Sequence, residues 1–291
     1  MNKDIKILVT GVKGQLGFDC VKELNKRGYT NVLGIDKDEL DITDEKAVFN
    51  YIKDYNPHIV MHNAAWTAVD KAEEMPDLVE NVNSLGPKYI ANACNFIGAK
   101  MVYISTDYVF NGLGDKPFEI DDEKSGLSVY GMTKYQGEEF VRTTLKAHFI
   151  VRISWVFGIN GNNFVKTMLK LANMGKTELN VVCDQIGSVT YTADLARLLV
   201  DMIETDKYGT YHATNEGYIS WAEFAREIFK RTNKNVTVHP VTTEEYLKLV
   251  PNQAKRPLNS RMSKKSLDEA GFERLPDWKD ALSRYLKEIG E

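Results

Sequence analysis

Cysteine is scarce in this 291-residue chain: Cys20, Cys94 and Cys183 are far apart and odd in number. That usage excludes a disulfide scaffold and a CxxC metal site, and it fits a reducing cytoplasm. A basic excess is missing too. Lys and Arg number 37 against 41 Asp and Glu, for a formal charge of −4. Dedicated nucleic-acid binders carry a basic footprint, so no nucleic-acid partner is expected, and an anionic ligand must find a local cluster of donors. Long hydrophobic runs are absent. The apolar stretch before Gly11 is too short for a signal peptide or a membrane span, so a soluble, cytoplasmic protein is expected. The five histidines show neither HxH nor HExxH spacing, so no protein-held metal is expected. No low-complexity tract, long linker or internal repeat interrupts the chain.

What is present is a globular composition, 43% hydrophobic and 27% charged, in a length that suits one large domain or two moderate ones. Over the first half, short apolar runs rich in β-branched residues alternate with segments of helical periodicity. Strands are expected at 5–10, 32–35, 59–62, 101–105 and 149–154. Helices are expected at 15–27, 44–54, 77–96 and 130–145. Five βα units with short connections specify an α/β fold with a doubly wound parallel sheet, whose ligands bind along the carboxyl edge of the strands. Past residue 155 the rhythm changes. Helices are expected at 163–172, 192–204, 220–232 and 278–289, with one more strand at 209–213. The third of these opens on a capping box, Ser220-Trp-Ala-Glu223. The tail from Val236 is polar and holds four of the eight prolines.

The first strand runs into Gly11-Val-Lys-Gly14-Gln15-Leu16-Gly17, which opens a helix. Backbone amides at a helix start, unobstructed by side chains, suit a pyrophosphate and add the helix dipole to the attraction. Dinucleotide binding follows from that placement rather than from the glycines alone. Asp36, nineteen positions after Gly17, ends the second strand. It either accepts the adenosine ribose hydroxyls, which favours NADH over NADPH, or is a solvated turn residue. Asp41 and Ile42 are expected to edge the adenine, or Asp41 merely serves helix entry.

A second constellation sits farther on. Strand four ends in Ser105-Thr106-Asp107-Tyr108, which sends a hydroxyl, a carboxylate and an aromatic off the sheet edge together. Tyr130 and Lys134 are four apart on the next helix and share one face. An ammonium there is expected to lower the phenol pKa and bring it closer to acid/base duty.

These residues resemble the extended short-chain dehydrogenase/reductase superfamily. His62-Asn-Ala-Ala-Trp-Thr-Ala-Val-Asp70, Ser105-Thr-Asp-Tyr-Val-Phe110, Val129-Tyr-Gly-Met-Thr-Lys134, Arg152-Ile-Ser-Trp-Val156, Asn162-Asn-Phe164, Asp184-Gln-Ile-Gly187 and Arg256-Pro-Leu-Asn-Ser-Arg261 narrow it. They are similar, in the same order, to the dTDP-4-dehydrorhamnose reductase family, from residue 5 to about 285. His62 and Trp66 depart from the usual family residues.

The resemblance implies a Rossmann-like domain at 1–155 plus about 180–213, and a smaller C-terminal α/β sugar-nucleotide domain at about 156–179 and 214–291. It implies hydride transfer from NADH, or NADPH, to the C4 carbonyl of a dTDP-linked keto sugar. Tyr130 would protonate the alkoxide, Lys134 would assist it and hold the nicotinamide ribose, and Thr106 would hold the carbonyl oxygen. Ala65, Trp66 and Thr67 would line the cofactor, or Thr67 would cap a helix. Val69 and Asp107 would border the sugar. Trp155 would pack on the sugar's apolar face or be an ordinary core aromatic. Asn163 would reach the nucleotide or cap its helix. Lys255, Arg256 and Arg261 would face the diphosphate or form a solvated basic turn. A monomer or homodimer is expected. Epimerisation of another nucleotide sugar, or a cofactor-binding regulatory subunit, are the competing classes.

Overall fold

The structure, a computed structural model, describes residues 2–251 and 253–291. At its centre six strands form one sheet: β1 (Ile7–Thr10), β2 (Val32–Ile35), β3 (Ile59–His62), β4 (Lys100–Thr106), β5 (His148–Ile153) and β6 (Gly209–His212). They lie in the order β6-β5-β4-β3-β1-β2, and every pairing is parallel. β1, β3 and β5 are buried along their whole length. Strands covered by helices on both faces need no polar alternation, which is why they read as plain apolar runs.

Helix α1 (Gln15–Lys26) packs with the helix Thr192–Ile203 on one face, around Leu16, Cys20, Leu24 and Leu199. α2 (Glu45–Tyr55), α3 (Gly86–Ile97) and α4 (Val129–Thr144) cover the other, around Val48, Ile52, Ile90 and Val141. The chain leaves β1 toward β2 on one side, and β3 lies on the other. The order therefore reverses between β1 and β3, and their diverging carboxyl ends open a crevice.

The expected helix over 77–96 is not uniform. It runs as Pro76–Glu80, widens through a π turn at Asn81–Leu85, and resumes as α3. Pro87 has no N–H to donate to the Asn83 carbonyl one turn back, and the Tyr103 hydroxyl donates to that carbonyl instead at 3.2 Å. A side chain at Gly137 would stand 2.4 Å from both partners, so the glycine of α4 leaves them room.

The second region has its own core around Phe157, Phe224, Ile228, Trp278 and Tyr285. Its helix Trp221–Arg231 carries the expected capping box, with Ser220 and Glu223 bonding each other's backbone N–H. The expected boundary near residue 180 shifts. Glu178–Val182 pairs with Thr237–Val241, and Ile186–Gly187 pairs with strands from 219–220 and 259–260. The return to the large sheet begins at Thr192, because 178–187 finds its backbone partners in the second region. Among the described residues, no helix is long and apolar enough to cross a membrane.

Candidate active site

The glycine loop is built by close backbone approach. Gly11 sits at φ +71°, and a Cβ there would lie 2.8 Å from the Ala64 nitrogen across the crevice. At Gly17 it would lie 2.2 Å from the Gly11 carbonyl oxygen. Gly14 is the N-cap of α1 and places no side chain over the amides of Gln15, Leu16 and Gly17. That open, positive helix end fits a dinucleotide diphosphate. Leu16 itself is buried in the core, so only its backbone is available there. From outside, Asn160 donates to the Lys13 carbonyl at 2.9 Å. Asn163 donates to Gln15 Oε1 and the Gly158 carbonyl, while its own oxygen caps the helix Phe164–Asn173. Asn163 therefore serves as a cap and as a clasp on the loop.

Asp36 braces the same loop: the Lys13 and Lys37 N–H groups donate to its two oxygens, each at 2.9 Å. Lys13 also pairs with Asp38. Asp41 takes the Thr43 N–H and hydroxyl, and it is Asp44 that caps α2. Ile42 is buried against Gly86 in the core.

On the other wall, Thr10, His62 and Tyr103 are register partners across β1, β3 and β4. The Asn63 and Ala64 N–H groups both donate to Thr10 Oγ1, which leaves its hydrogen for His62 Nδ1 at 2.8 Å. The proton of the neutral ring is thereby assigned to Nε2. Burial, reinforced by the Lys134 charge, pushes His62 down to about 3. Beyond β3, Ala65 and Trp66 are half-buried and Thr67 is exposed. Asn83, in the π turn, accepts from the Trp66 N–H and donates to its carbonyl, so the widened turn fixes this edge. Thr67 caps nothing: the short helix Val69–Ala72 starts from Ala68 with no side-chain cap.

β4 ends at Thr106, whose Oγ1 caps the 3-10 turn Asp107–Val109 and donates to Asp107 Oδ1 at 3.0 Å. Ser128 caps α4, and Gly126 and Gly131 let the Tyr108 carbonyl approach its first turn. This brings the Tyr130 phenol to the Thr106 hydroxyl, with the Tyr108 ring edge-on at 5.5 Å.

The expected direction of the tyrosine shift is corrected. Burial pushes Tyr130 up to about 12, the Thr106 hydrogen bond only partly offsets that, and Lys134 is not among the groups that act on it. Lys134 lies 4.1 Å from the centre of the Tyr103 ring, and burial pulls it down to about 7 against the opposing charge of Glu138. Asp107 is buried, pushed up to about 6 by desolvation, and its Oδ2 has no hydrogen-bond partner.

Trp155 leaves β5 with φ +49°, a conformation non-glycine residues rarely adopt, and lies face to face on Trp221 at 3.7 Å. Gly187 makes room for its ring. It is half-buried rather than a plain core aromatic.

The strap from Gln253 to Met262 runs from Asp70, just beyond β3, to the loop at 112–118 beyond β4. Arg256 is ion-paired with Asp70 at 2.9 Å, Arg261 bonds Asn259, and Lys255 is exposed. Thr10, Asp70, Asn83 and Asn160 were not expected from sequence; Thr10 ends a strand, Asp70 and Asn83 sit in short helical turns, and the partner of each lies 17 or more residues away. Among the described residues, no group of three or more His, Cys, Asp or Glu side chains is placed to hold a metal.

The family described as "RmlD substrate binding domain" matches residues 5–290. The spore coat polysaccharide biosynthesis protein SpsK of Bacillus subtilis (strain 168) is 43% identical, with 97% of each chain covered. A dTDP-4-dehydrorhamnose reductase of Aggregatibacter actinomycetemcomitans is 39% identical, covering 95% of this chain and 97% of its own. The crystal structure of dTDP-4-dehydrorhamnose reductase from Bacillus anthracis str. Ames, in complex with NADP, superposes with a TM-score of 0.93 at 42% identity. It covers 98% of this chain and 99% of its own.

Proposed function

The chain belongs to the RmlD substrate binding domain family, and on that premise we propose that it reduces the C4 keto group of dTDP-4-dehydro-6-deoxy-L-mannose to give dTDP-L-rhamnose, using NADH or NADPH. The observation that carries the reading is that Thr106, at the end of β4, and Tyr130, in the first turn of the packed helix α4, stand together beside the glycine-lined crevice. Bound there, the reduced nicotinamide supplies a hydride to the sugar carbonyl carbon. Thr106, turning its one hydroxyl hydrogen from Asp107 Oδ1 to the carbonyl oxygen, would stabilise the charge that develops there. Tyr130 hands that oxygen its proton. A phenol held at about 12 arrives protonated at neutral pH and is still far more acidic than a sugar alcohol, so transfer runs toward the alkoxide.

Lys134 stands one turn behind Tyr130 on the same helical face, where it would hold the nicotinamide ribose. Asp107 Oδ2, buried and unpartnered, suits a sugar hydroxyl as donor, and Val69, which opens the short helix after 65–68, would border the sugar. Trp155, with Trp221 behind it, offers an apolar face to the 6-methyl group. Arg256, with Lys255 and Arg261 near it on the strap, supplies counter-charge for the diphosphate. Asp36 favours unphosphorylated ribose, while Lys13 and Lys37 beside it can meet a 2′-phosphate, so both coenzymes are accepted. Three unpaired cysteines fit work in the cytoplasm.

The test is oxidation of NADH and of NADPH by the purified chain with dTDP-4-dehydrorhamnose, with the product identified. Stoichiometric oxidation and dTDP-L-rhamnose are expected. Isomerisation of the sugar with the coenzyme untouched would reject the reading.

A further inference from the structure

The short helix Val69–Ala72 follows directly on the edge at 65–67, and its polar side chains reach two other parts of the site. Glu73, at its end, accepts the Val129 N–H at 2.8 Å, one residue before Tyr130. Asp70 uses both carboxylate oxygens on the strap: Oδ1 accepts the Ala254 N–H at 3.0 Å and Oδ2 accepts from Arg256 at 2.9 Å. The far half of the strap is independently anchored. Asn259 bonds Gly112, Leu113 and Lys116, and the Leu258 carbonyl accepts from Ile186. The near half packs Pro257 on Gly112 and buries Ala254, but its hydrogen bonds are fewer. Among the described residues, the hydrogen bonds that 253–257 makes outside itself all go to Asp70. The guanidinium is otherwise steadied only from within the strap, by Gln253 and the Ala254 carbonyl.

The edge that precedes Asp70 is rigid. Thr10 accepts the N–H groups of residues 63 and 64, and Asn83 holds the Trp66 backbone. Ala72 is fully buried, so the helix cannot swing away from α4 without opening that packing. A dinucleotide lying along 63–67 would bear on the segment that carries Asp70, and Asp70 holds the Ala254 backbone and the Arg256 guanidinium.

We propose that Asp70 is a positioning residue that couples the two ligand sites, so that dinucleotide binding orders Arg256 for a nucleoside diphosphate. The proposal rests on the reading above for the identity of the ligands. Side chains of Asp70 and Arg256 are 44% and 26% exposed, so the pair by itself contributes little to folding, and its removal leaves the fold standing. Its effect is on the register of the strap, which appears as a coupling between affinities.

Calorimetric titration of dTDP, with and without saturating NADP+, reads that coupling directly. In the wild type NADP+ tightens dTDP by about tenfold. Asp70→Ala brings the effect within about twofold, and Asp70→Asn, which keeps an acceptor for the Ala254 N–H but loses the charge, falls between. The Kd for NADP+ itself is unchanged in both variants, which also reports an intact fold. The same coupling in Asp70→Ala as in the wild type, no coupling in the wild type, or loss of NADP+ binding in the variants would each overturn the proposal. Coupling without turnover of dTDP-4-dehydrorhamnose rejects the assigned reaction and keeps the role of Asp70. Turnover without coupling does the reverse.

Discussion

The two walls of the crevice are made in opposite ways. The glycine loop side is almost all backbone: Gly11 and Gly17 remove side chains so that main chain can approach main chain, and helix amides face outward. The opposite wall is made of buried titratable side chains, with Tyr130, Lys134, Asp107 and His62 all shifted from their ordinary values chiefly by burial. Holding a diphosphate takes fixed dipoles at a helix end, which are insensitive to pH. Moving a proton takes groups whose charge can change, and desolvation is what sets them apart from their solvent-exposed counterparts. Binding and chemistry are thereby separable, and substitutions on one wall leave the other working.

The strongest test of that separation is Tyr130→Phe. Only the phenolic oxygen is lost, and the edge-on packing with Tyr108 remains. Turnover should fall by about 10³-fold, within the range for a positioned general acid, while the dinucleotide Kd stays within twofold by fluorescence titration. Retained turnover would remove Tyr130 from the chemistry. A parallel loss of dinucleotide affinity would break the comparison itself.

Gly17→Ala attacks the other wall and should show the mirror image. The new methyl would lie 2.2 Å from the Gly11 carbonyl oxygen, a backbone atom that moves only with the loop. We expect dinucleotide binding weakened by about tenfold or more and folding destabilised by about 1–3 kcal/mol, measured by titration and denaturant melts. With saturating coenzyme, kcat should be largely retained. A collapse of kcat at saturation would mean that the loop also shapes the catalytic wall.

The backbone wall was the more legible in sequence. β2, β3 and the last helix, Trp278–Ile289, fall where the apolar runs and helical period place them. Glycine at 11, 14 and 17 after a buried strand states its own geometry. Parts of the second wall were visible as residue types: Thr106 at a strand end, and Tyr130 and Lys134 on one helical face. Their electrostatics were not, because spacing shows that a lysine stands near a tyrosine but not that both are out of water. Hence the expected lowering of the phenol pKa gave way to a rise. The π turn at Asn81–Leu85 was hidden for a related reason. Its cause joins Pro87 to the hydroxyl of Tyr103 across the sheet, a pairing with no local signature. The two-stranded pairing of Glu178–Val182 with Thr237–Val241 links short segments more than fifty residues apart, and neither alternates cleanly enough to announce itself.

The smallest expected effect has an unusual sign. Lys134 is buried and, among the described residues, its ammonium meets only the face of Tyr103 and the charge of Glu138, which Arg152 already engages. Its folded pKa of about 7 lies below the ordinary 10.5, so between those values the unfolded chain binds the extra proton. At neutral pH this lysine therefore opposes folding, and that opposition is relieved as pH rises through the window. Lys134→Met, which fills the same space without the charge, should stabilise the chain at pH 7 by about 1–2 kcal/mol in denaturant melts while turnover falls. The advantage of the variant should shrink as the melts are repeated toward pH 10, where the folded lysine is neutral and the unfolded one nears its own ordinary value of 10.5. A variant less stable than wild type at pH 7, or an advantage that grows with pH, would show that the ammonium is held by interactions outweighing its burial. The catalytic wall would then be electrostatically settled before any ligand arrives, rather than kept under tension for the reaction.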